Sequence, residues 1–394
     1  MLNIFFFATY QDGTGYYRIH NPAQMIKKLG LAKVYANPFQ VTMLNQKVPK
    51  ENDAWYDFEA GKDGIVKNTR LFSKMFENKI DAVVFQRMDS PQMFALAIAL
   101  KEQFNIPIIQ ETDDYVWDVP PLNPGLLSYY EKKQDMFTDP SDPVTLARRS
   151  LGVFDGYIVT TPFLQNFYKN FSPTFICPNS LDVSKRRPKP YKPHKDIRVM
   201  WSTSAGHMDN MRIIKEPIKR IMEKYPNVTF YQYNYLPNLL EGTPYEKRVV
   251  KMKWVHPDKY WEYINSLSPD VCLSPIHDSM YNRAKSNLRI LEYWTAGNNL
   301  VIASPVGHYK ETIIEGKNGL FAKNDWYEKI EYAMKHPELR EKLGKEGRKT
   351  VEKDFNLEKN ARLWIDAVKS VISSYKPYKQ APDKYVAPEN REGS

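Results

Sequence analysis

The stretch Tyr281–Gly307, YNRAKSNLRILEYWTAGNNLVIASPVG, concentrates residue types that suit a phosphate and a sugar ring. Arg283 and Lys285 lie in a polar loop that runs into a helical pattern opening at Ser286 and Asn287. A helix start presents unpaired backbone N–H groups and the positive end of the helix dipole, and so attracts anions. Two neighbouring cations would add charge-assisted hydrogen bonds to phosphate oxygens. Glu292 follows on the second turn, where a carboxylate can accept from the two hydroxyls of a ribose. Gly297 is a helix stop, and Leu300–Ala303 reads as the next buried strand. This order places the candidate pocket at the carboxyl end of a parallel sheet. A basic surface loop, with Glu292 in a structural ion pair, competes on pattern alone.

Three other stretches carry candidate chemistry. After Trp201 comes STSAGH, in which Ser202, Ser204 and His207 are polar and Gly206 permits close backbone approach. Arg212 and Lys215 follow on the next helical pattern, although a lone histidine such as His207 is more often structural. Asp12–Arg18 (DGTGYYR) is a glycine-containing loop between the first strand and helix; it lacks the full dinucleotide-binding fingerprint, which disfavours such a cofactor. Glu111–Asp118 (ETDDYVWD) follows a strand, and Asp113 or Asp114 there could orient a sugar hydroxyl or take a proton from an acceptor. A solvated turn or helix cap competes. The acidic pair also prompts a divalent-metal reading, but its members are adjacent instead of spaced by one, so no metal ligand is assigned.

The elements that must position these residues come in two strand-then-helix series, the pattern of parallel α/β sheets. The first holds Leu2–Ala8, Asp81–Gln86, Ile106–Gln110, Phe154–Thr160 and Thr174–Cys177 as strands. The segment Asp182–His194 (DVSKRRPKPYKPH) breaks both periodicities and reads as a linker. The second series holds strands at Ile197–Trp201, Val228–Tyr233, Val271–Ser274 and Leu300–Ala303. Its helices are expected at Asn210–Lys224, Tyr260–Leu267, Ser286–Ala296, Lys323–His336, Glu338–Asp354 and Leu357–Tyr375, with Pro217 as a possible kink. The expected division is 1–181, a linker over 182–195, a second domain over 196–356, a closing helix over 357–375 and a loose tail over 376–394.

Composition sets the class. The 394 residues suffice for two domains, and 42% hydrophobic with 26% charged residues are ordinary globular values. No stretch reaches the roughly 18 apolar residues of a membrane span. The opening MLNIFFFATY lacks a basic region before its apolar run and a cleavage site after it, and reads as a strand instead of a leader. Cys177 and Cys272 cannot form a disulfide framework and sit in apolar surroundings, which together favours the cytosol. The net charge of +10 is uneven. Residues 1–180 carry 18 basic and 19 acidic side chains, leaving 38 against 27 beyond them. A basic excess suits a phosphate-bearing ligand, nucleic acid or an anionic membrane, or simply keeps the surface solvated.

The segment around Glu292 resembles the donor-binding segment of family 4-type GT-B glycosyltransferases (glycosyl transferases group 1), whose signature is Glu-x7-Glu followed by Ala-x-Ala-x-Gly-x-Pro-Val-Ile-Ala. Glu292 matches the second glutamate, Ala296 and Gly297 the helix end, and Val301–Ala303 the strand. The first glutamate falls on Ala284, so its contact with the donor sugar is lost. This departure resembles a divergent phage and bacterial branch with an Asn-x-x-Lys-Ser loop, in which Lys285 takes contacts to phosphate or sugar. Further matches follow in order: Asp155–Thr161 (DGYIVTT), Pro178, Asn179 and Asp182 (CPNSLD), and Glu311 and Gly319 within Val306–Gly319. The Gly-Arg that family members carry after the Trp201 strand is missing.

The resemblance implies an α/β, GT-B architecture, two Rossmann-like domains facing across a cleft, and transfer of a sugar from a nucleoside diphosphate sugar, UDP-linked, to an acceptor hydroxyl. Glu292 would bind the nucleotide ribose. Gly15, Ser202, Ser204, His207, Arg212, His256, Arg283, Lys285, Ser286 and Asn287 are the other donor-side candidates, and Trp254–His256 resembles the loop framing the nucleobase. Asp12, Tyr17 and Arg18 fall on the acceptor side, and Asp113, Asp114 and Lys285 are the catalytic candidates. No tightly bound cofactor and no metal are expected. Retention of configuration is favoured over inversion. Hydroxymethylated bases in phage DNA are the first acceptor expected; a surface glycan, lipid-linked glycan or protein is the alternative. A non-catalytic nucleic-acid-binding protein is the rival from another class, and a phosphorylase or epimerase on the same fold is a second.

Overall fold

The computed structural model describes residues 1–8, 13–36, 59–60, 66–67, 74–87, 91–119, 147–148, 150–188, 194–203, 205–233, 236–297 and 299–377. Contacts divide the chain into two units, Met1–Val116 with Asp135–Cys177 and Glu358–Ser394, and Trp117–Gln134 with Pro178–Leu357. The boundary at Cys177–Pro178 lies just ahead of the Pro- and Lys-rich segment. The tail from 378 onward, Asp12 and Ser204 lie outside the described residues.

The first unit is built on a six-stranded sheet. Its strands are β1 (Asn3–Phe7), β2 (Lys33–Ala36), β5 (Ala82–Gln86), β6 (Ile108–Thr112), β7 (Gly156–Val159) and β8 (Thr174–Ile176), in the order β2-β1-β5-β6-β7-β8 and all parallel. A separate short antiparallel pair joins β3 (Glu59–Ala60) to β4 (Val66–Lys67). The runs NIFFF and AVVFQ are almost wholly buried, as strands covered on both faces must be. Helices α1 (Asn21–Lys28), α2 (Pro91–Phe104) and α3 (Pro162–Tyr168) follow β1, β5 and β7. Thr161 starts α3 by accepting the Leu164 N–H at 3.3 Å, with Pro162 in the first turn.

The second unit repeats the plan with β9 (Ile197–Trp201), β10 (Val228–Tyr233), β11 (Val249–Met252), β12 (Val271–Ser274), β13 (Leu300–Ala303) and β14 (Leu320–Phe321). The order is β11-β10-β9-β12-β13-β14, again all parallel. This is the doubly wound order, and its direction reverses between β9 and β12. Ligands of such sheets bind outside the carboxyl ends of the strands at that reversal.

The helices are α4 (Met211–Lys224), α5 (Tyr260–Leu267), α6 (Met280–Ala284), α7 (Leu288–Gly297), α8 (Gly307–Thr312), α9 (Trp326–Lys335) and α10 (Pro337–Asp354). Helix α4 continues through Pro217. A last helix, α11 (Leu357–Ser374), belongs to the first unit from Glu358 on. Helix α10 lies against α7 at Gly347, where a Cβ would come within 2.2 Å of the buried Trp294 indole nitrogen. That crossing requires glycine, and overpacking of this kind costs about 1–3 kcal/mol. No described helix is long and apolar enough to cross a membrane.

Candidate functional site

Within the second unit, Lys285, Ser286, Asn287 and Glu292 lie between the end of α6 and the second turn of α7, and Ser202 follows β9. Ser279 opens α6 by accepting the Asn282 N–H at 3.2 Å. The chain leaves the helix at Lys285, whose extended ψ of 140° turns it towards α7. The Lys285 ammonium rests 4.2 Å over the ring of Tyr281. Gly307, at φ +51°, sets α8 against this bend, because a Cβ there would meet the Arg283 backbone at 2.4 Å. The loop of Arg283 and Lys285 is thus fixed by backbone packing on one side and an aromatic ring on the other.

Ser286 and Asn287 join the bends together. The Ser286 Oγ accepts from the buried Asn179 amide at 2.7 Å, tying the CPNSLD segment to the start of α7. Asn287 supplies the carbonyl that accepts the Ile290 and Leu291 N–H groups, at 2.9 and 3.2 Å. Its side chain turns inward, donating to the Thr312 hydroxyl at 2.9 Å. The fully buried amide of Asn287 is therefore part of the frame, and its Oδ1 is buried without a partner. Arg283 is exposed and held in a two-point pair with Asp278, at 2.5 and 3.0 Å.

Glu292 lies on the second turn of α7, with its carboxylate buried but for a twentieth of its surface. Arg289, one turn earlier and one quarter exposed, reaches it at 3.3 Å. The same guanidinium nitrogen donates to the Tyr260 hydroxyl at 2.8 Å. Tyr260 in turn shares a 2.5 Å hydrogen bond with the Ser202 Oγ, just past β9. The Ser202 N–H donates to the Tyr293 hydroxyl at 2.7 Å, and that hydroxyl also lies 3.4 Å from the Leu273 carbonyl of β12. Tyr293 therefore pins the two strands between which the sheet order reverses. Burial pushes the Tyr260 and Tyr293 phenols well above their usual range, with Arg289 pulling the other way, so both remain neutral hydrogen-bonding groups.

The other donor-side candidates are more scattered. His207 is half-buried in the turn Ala205–Asn210, its Nδ1 3.2 Å from the Asn210 amide. Arg212 is exposed on the first turn of α4. His256 sits ahead of α5 with its Nδ1 2.5 Å from Asp258.

In the first unit, Gly15 and Tyr17 are buried in the helical turns after β1. Arg18 is 1% exposed and donates to Glu111 Oε1 at 2.6 Å and to the Cys177 carbonyl at 2.9 Å, with its guanidinium 5.0 Å from the centre of the Trp364 ring. The structure therefore places Arg18 in the interior of its own unit, away from any acceptor surface. Asp113 and Asp114 follow β6, and Asp114 accepts from Arg87 at 2.7 Å. Among the described residues no three acidic, histidine or cysteine side chains cluster in a way that could hold a metal ion.

Arg289, Tyr260, Tyr293 and Glu111 were not singled out by sequence. Arg289 had a signal, lying three residues ahead of Glu292 on one helix face. The others meet their partners only through long-range folding.

Residues 219–366 match the family described as glycosyl transferase-like. Trehalose synthase from Pyrococcus horikoshii is 23% identical over 297 residues, 66% of this chain and 69% of that protein. Among solved structures, a glycosyltransferase from Rickettsia africae superposes with a TM-score of 0.63 at 14% identity, covering 95% of this chain and 99% of the other. Anabaena HepE, solved in complex with UDP-glucose, gives 0.59 at 11% identity, over 94% of this chain and all of that one. The chain accordingly has the GT-B fold, and the match to a glycosyl transferase-like family spans most of its second unit and the start of α11.

Proposed function

We propose that the chain moves a sugar from a nucleoside diphosphate sugar, UDP-linked, to an acceptor hydroxyl, and that the second unit holds the donor. One observation carries this reading. A buried carboxylate, Glu292, stands one turn into the helix that the Lys285–Ser286 bend opens, at the edge where the sheet order reverses. Glu292 accepts from the ribose hydroxyls. Lys285, Arg283 and the first N–H groups of α7 take the diphosphate. Their positive charge counts most as the anomeric C–O bond breaks and the diphosphate leaves, so they act on the transition state more than on the bound donor. The acceptor oxygen bonds to the anomeric carbon while its proton passes to the departing diphosphate oxygen, and no protein nucleophile is needed.

The UDP assignment is supported by the likeness to HepE, which was solved with UDP-glucose. Retention is favoured by the resemblance of residues 284–307 to the family 4-type segment, and anomer-resolved proton NMR of the product tests it. Asp113 and Asp114 are the acceptor-side candidates for orienting a hydroxyl. For the acceptor itself, the basic excess beyond residue 180 is the only support for DNA, so hydroxymethylcytosine-containing DNA is one arm of the assay, beside free sugars and lipid-linked glycans.

The test is a thermal-shift panel of UDP-, GDP- and ADP-sugars. A UDP-sugar should raise the melting temperature, and Glu292→Ala should abolish that rise while melting alone within a few degrees of wild type. Equal stabilisation of wild type and Glu292→Ala would refute the assigned role of Glu292.

A further inference from the structure

We infer that Arg289 is a positioning residue: it fixes the Glu292 carboxylate for a ribose, and the Tyr260 hydroxyl fixes Arg289 in turn. The inference rests on the donor-site reading above and goes one layer behind it. The contacts form a chain, Glu292 to Arg289 at 3.3 Å, Arg289 to Tyr260 at 2.8 Å, Tyr260 to Ser202 at 2.5 Å, and Ser202 to Tyr293 at 2.7 Å. The links run through three places: α5 supplies Tyr260, the residue just past β9 is Ser202, and Tyr293 returns the chain to α7, which also carries Arg289 and Glu292.

A carboxylate on a long side chain is a poor reader of hydroxyl positions unless its rotamer is held. A helical arginine three residues away, by itself, would hold it weakly. What distinguishes this arginine is its second anchor. Its guanidinium lies 5.7 Å from the centre of the Tyr260 ring while donating to that ring's hydroxyl, so it is held both in position and in orientation. Tyr260 and Ser202 are themselves buried, so the anchor does not move with solvent. The same hydroxyl of Tyr260 meets Ser202, the residue just past β9. The carboxylate on α7 and the loop after β9 are therefore placed by one shared group.

The experiment compares UDP with 2′-deoxy-UDP by calorimetry on the full chain. Wild type should prefer UDP by about tenfold, the worth of one hydrogen bond to a charged group. Glu292→Gln should bring that ratio to about one. Arg289→Met should do the same, Arg289→Lys should restore part of the preference, and Tyr260→Phe should lower it without touching either charge. In the Glu292→Gln background, Arg289→Met should weaken UDP by less than about twofold, because the effect passes through Glu292.

A preserved ratio in Arg289→Met, or losses that multiply in the double variant, would overturn the inference while leaving the donor site standing. An absence of UDP binding by wild type, or a preserved ratio in Glu292→Gln, would bring down the donor-site reading and this inference with it. Melting temperatures without nucleotide are measured for every variant. If Arg289→Met does not fold, Tyr260→Phe decides, with an unchanged ratio counting against.

Discussion

Each unit of the chain places an arginine–glutamate pair near the carboxyl edge of its parallel sheet, and the two pairs are built for different ends. In the first unit, Arg18 and Glu111 are 1% and 0% exposed, and Arg18 is further engaged by the Cys177 carbonyl and the Trp364 ring. In the second, Glu292 is 5% exposed but Arg289 keeps one quarter of its side chain in solvent. A sealed pair is closed to any ligand and serves the fold; a pair left open on one side can still meet a ligand. Position at the edge of a sheet is therefore not enough to identify a site, and accessibility separates the two.

The sharpest way to break this contrast is to remove the acid from each pair. Glu111→Ala leaves a buried guanidinium without the carboxyl oxygen it donates to and should cost about 3–5 kcal/mol in urea unfolding. Glu292→Ala leaves an arginine that water and Tyr260 can still serve, and should cost about 1 kcal/mol. Comparable losses from the two would mean that both pairs are structural.

Acidity sharpens the contrast further. Burial raises the Glu111 carboxyl from 4.5 to about 8, against the pull of Arg18 and with a further push from Asp113. The folded chain therefore holds a proton that the unfolded chain gives up near 4.5. The stability this proton contributes is fully present below about 4.5 and is lost as pH rises towards 8. Unfolding free energies from urea titrations at pH 5, 6.5 and 8 should fall in wild type by up to about 1.4 kcal/mol per pH unit, and Glu111→Gln should flatten the slope. An equally steep slope in that variant would assign the effect to other groups.

The same contrast shows what was legible from sequence. Continuous apolar runs marked the buried strands, as with AVVFQ of β5 and LVIA of β13. The partly exposed β2 and β11 mix polar and apolar residues and gave no such run. Helix α2 reads PQMFALAIALKEQF, too uniformly apolar to show a helical period. Lys285, Ser286 and Glu292 could be read together as one candidate because eight residues of chain hold them. Arg18 and Glu111 lie 93 residues apart, Ser202 and Tyr260 58, and Asn179 and Ser286 107, and no local pattern encodes those meetings. Hence Arg18 reads from sequence as part of an acceptor-side loop, whereas the fold turns its side chain inward.

The smallest expected effect tests whether the second edge is open in the sense argued above. Ser286 is half-buried, and its Oγ accepts from the buried amide of Asn179. Ser286→Ala removes that acceptor. Because the serine borders solvent, a water can enter and take the amide's hydrogen, so the cost should stay near 1 kcal/mol. UDP affinity should fall by less than about tenfold, since the N–H groups of α7 remain in place. A loss approaching that of Glu111→Ala would show that water cannot reach this edge. The second pair would then be as sealed as the first, and accessibility could no longer be the property that sets them apart.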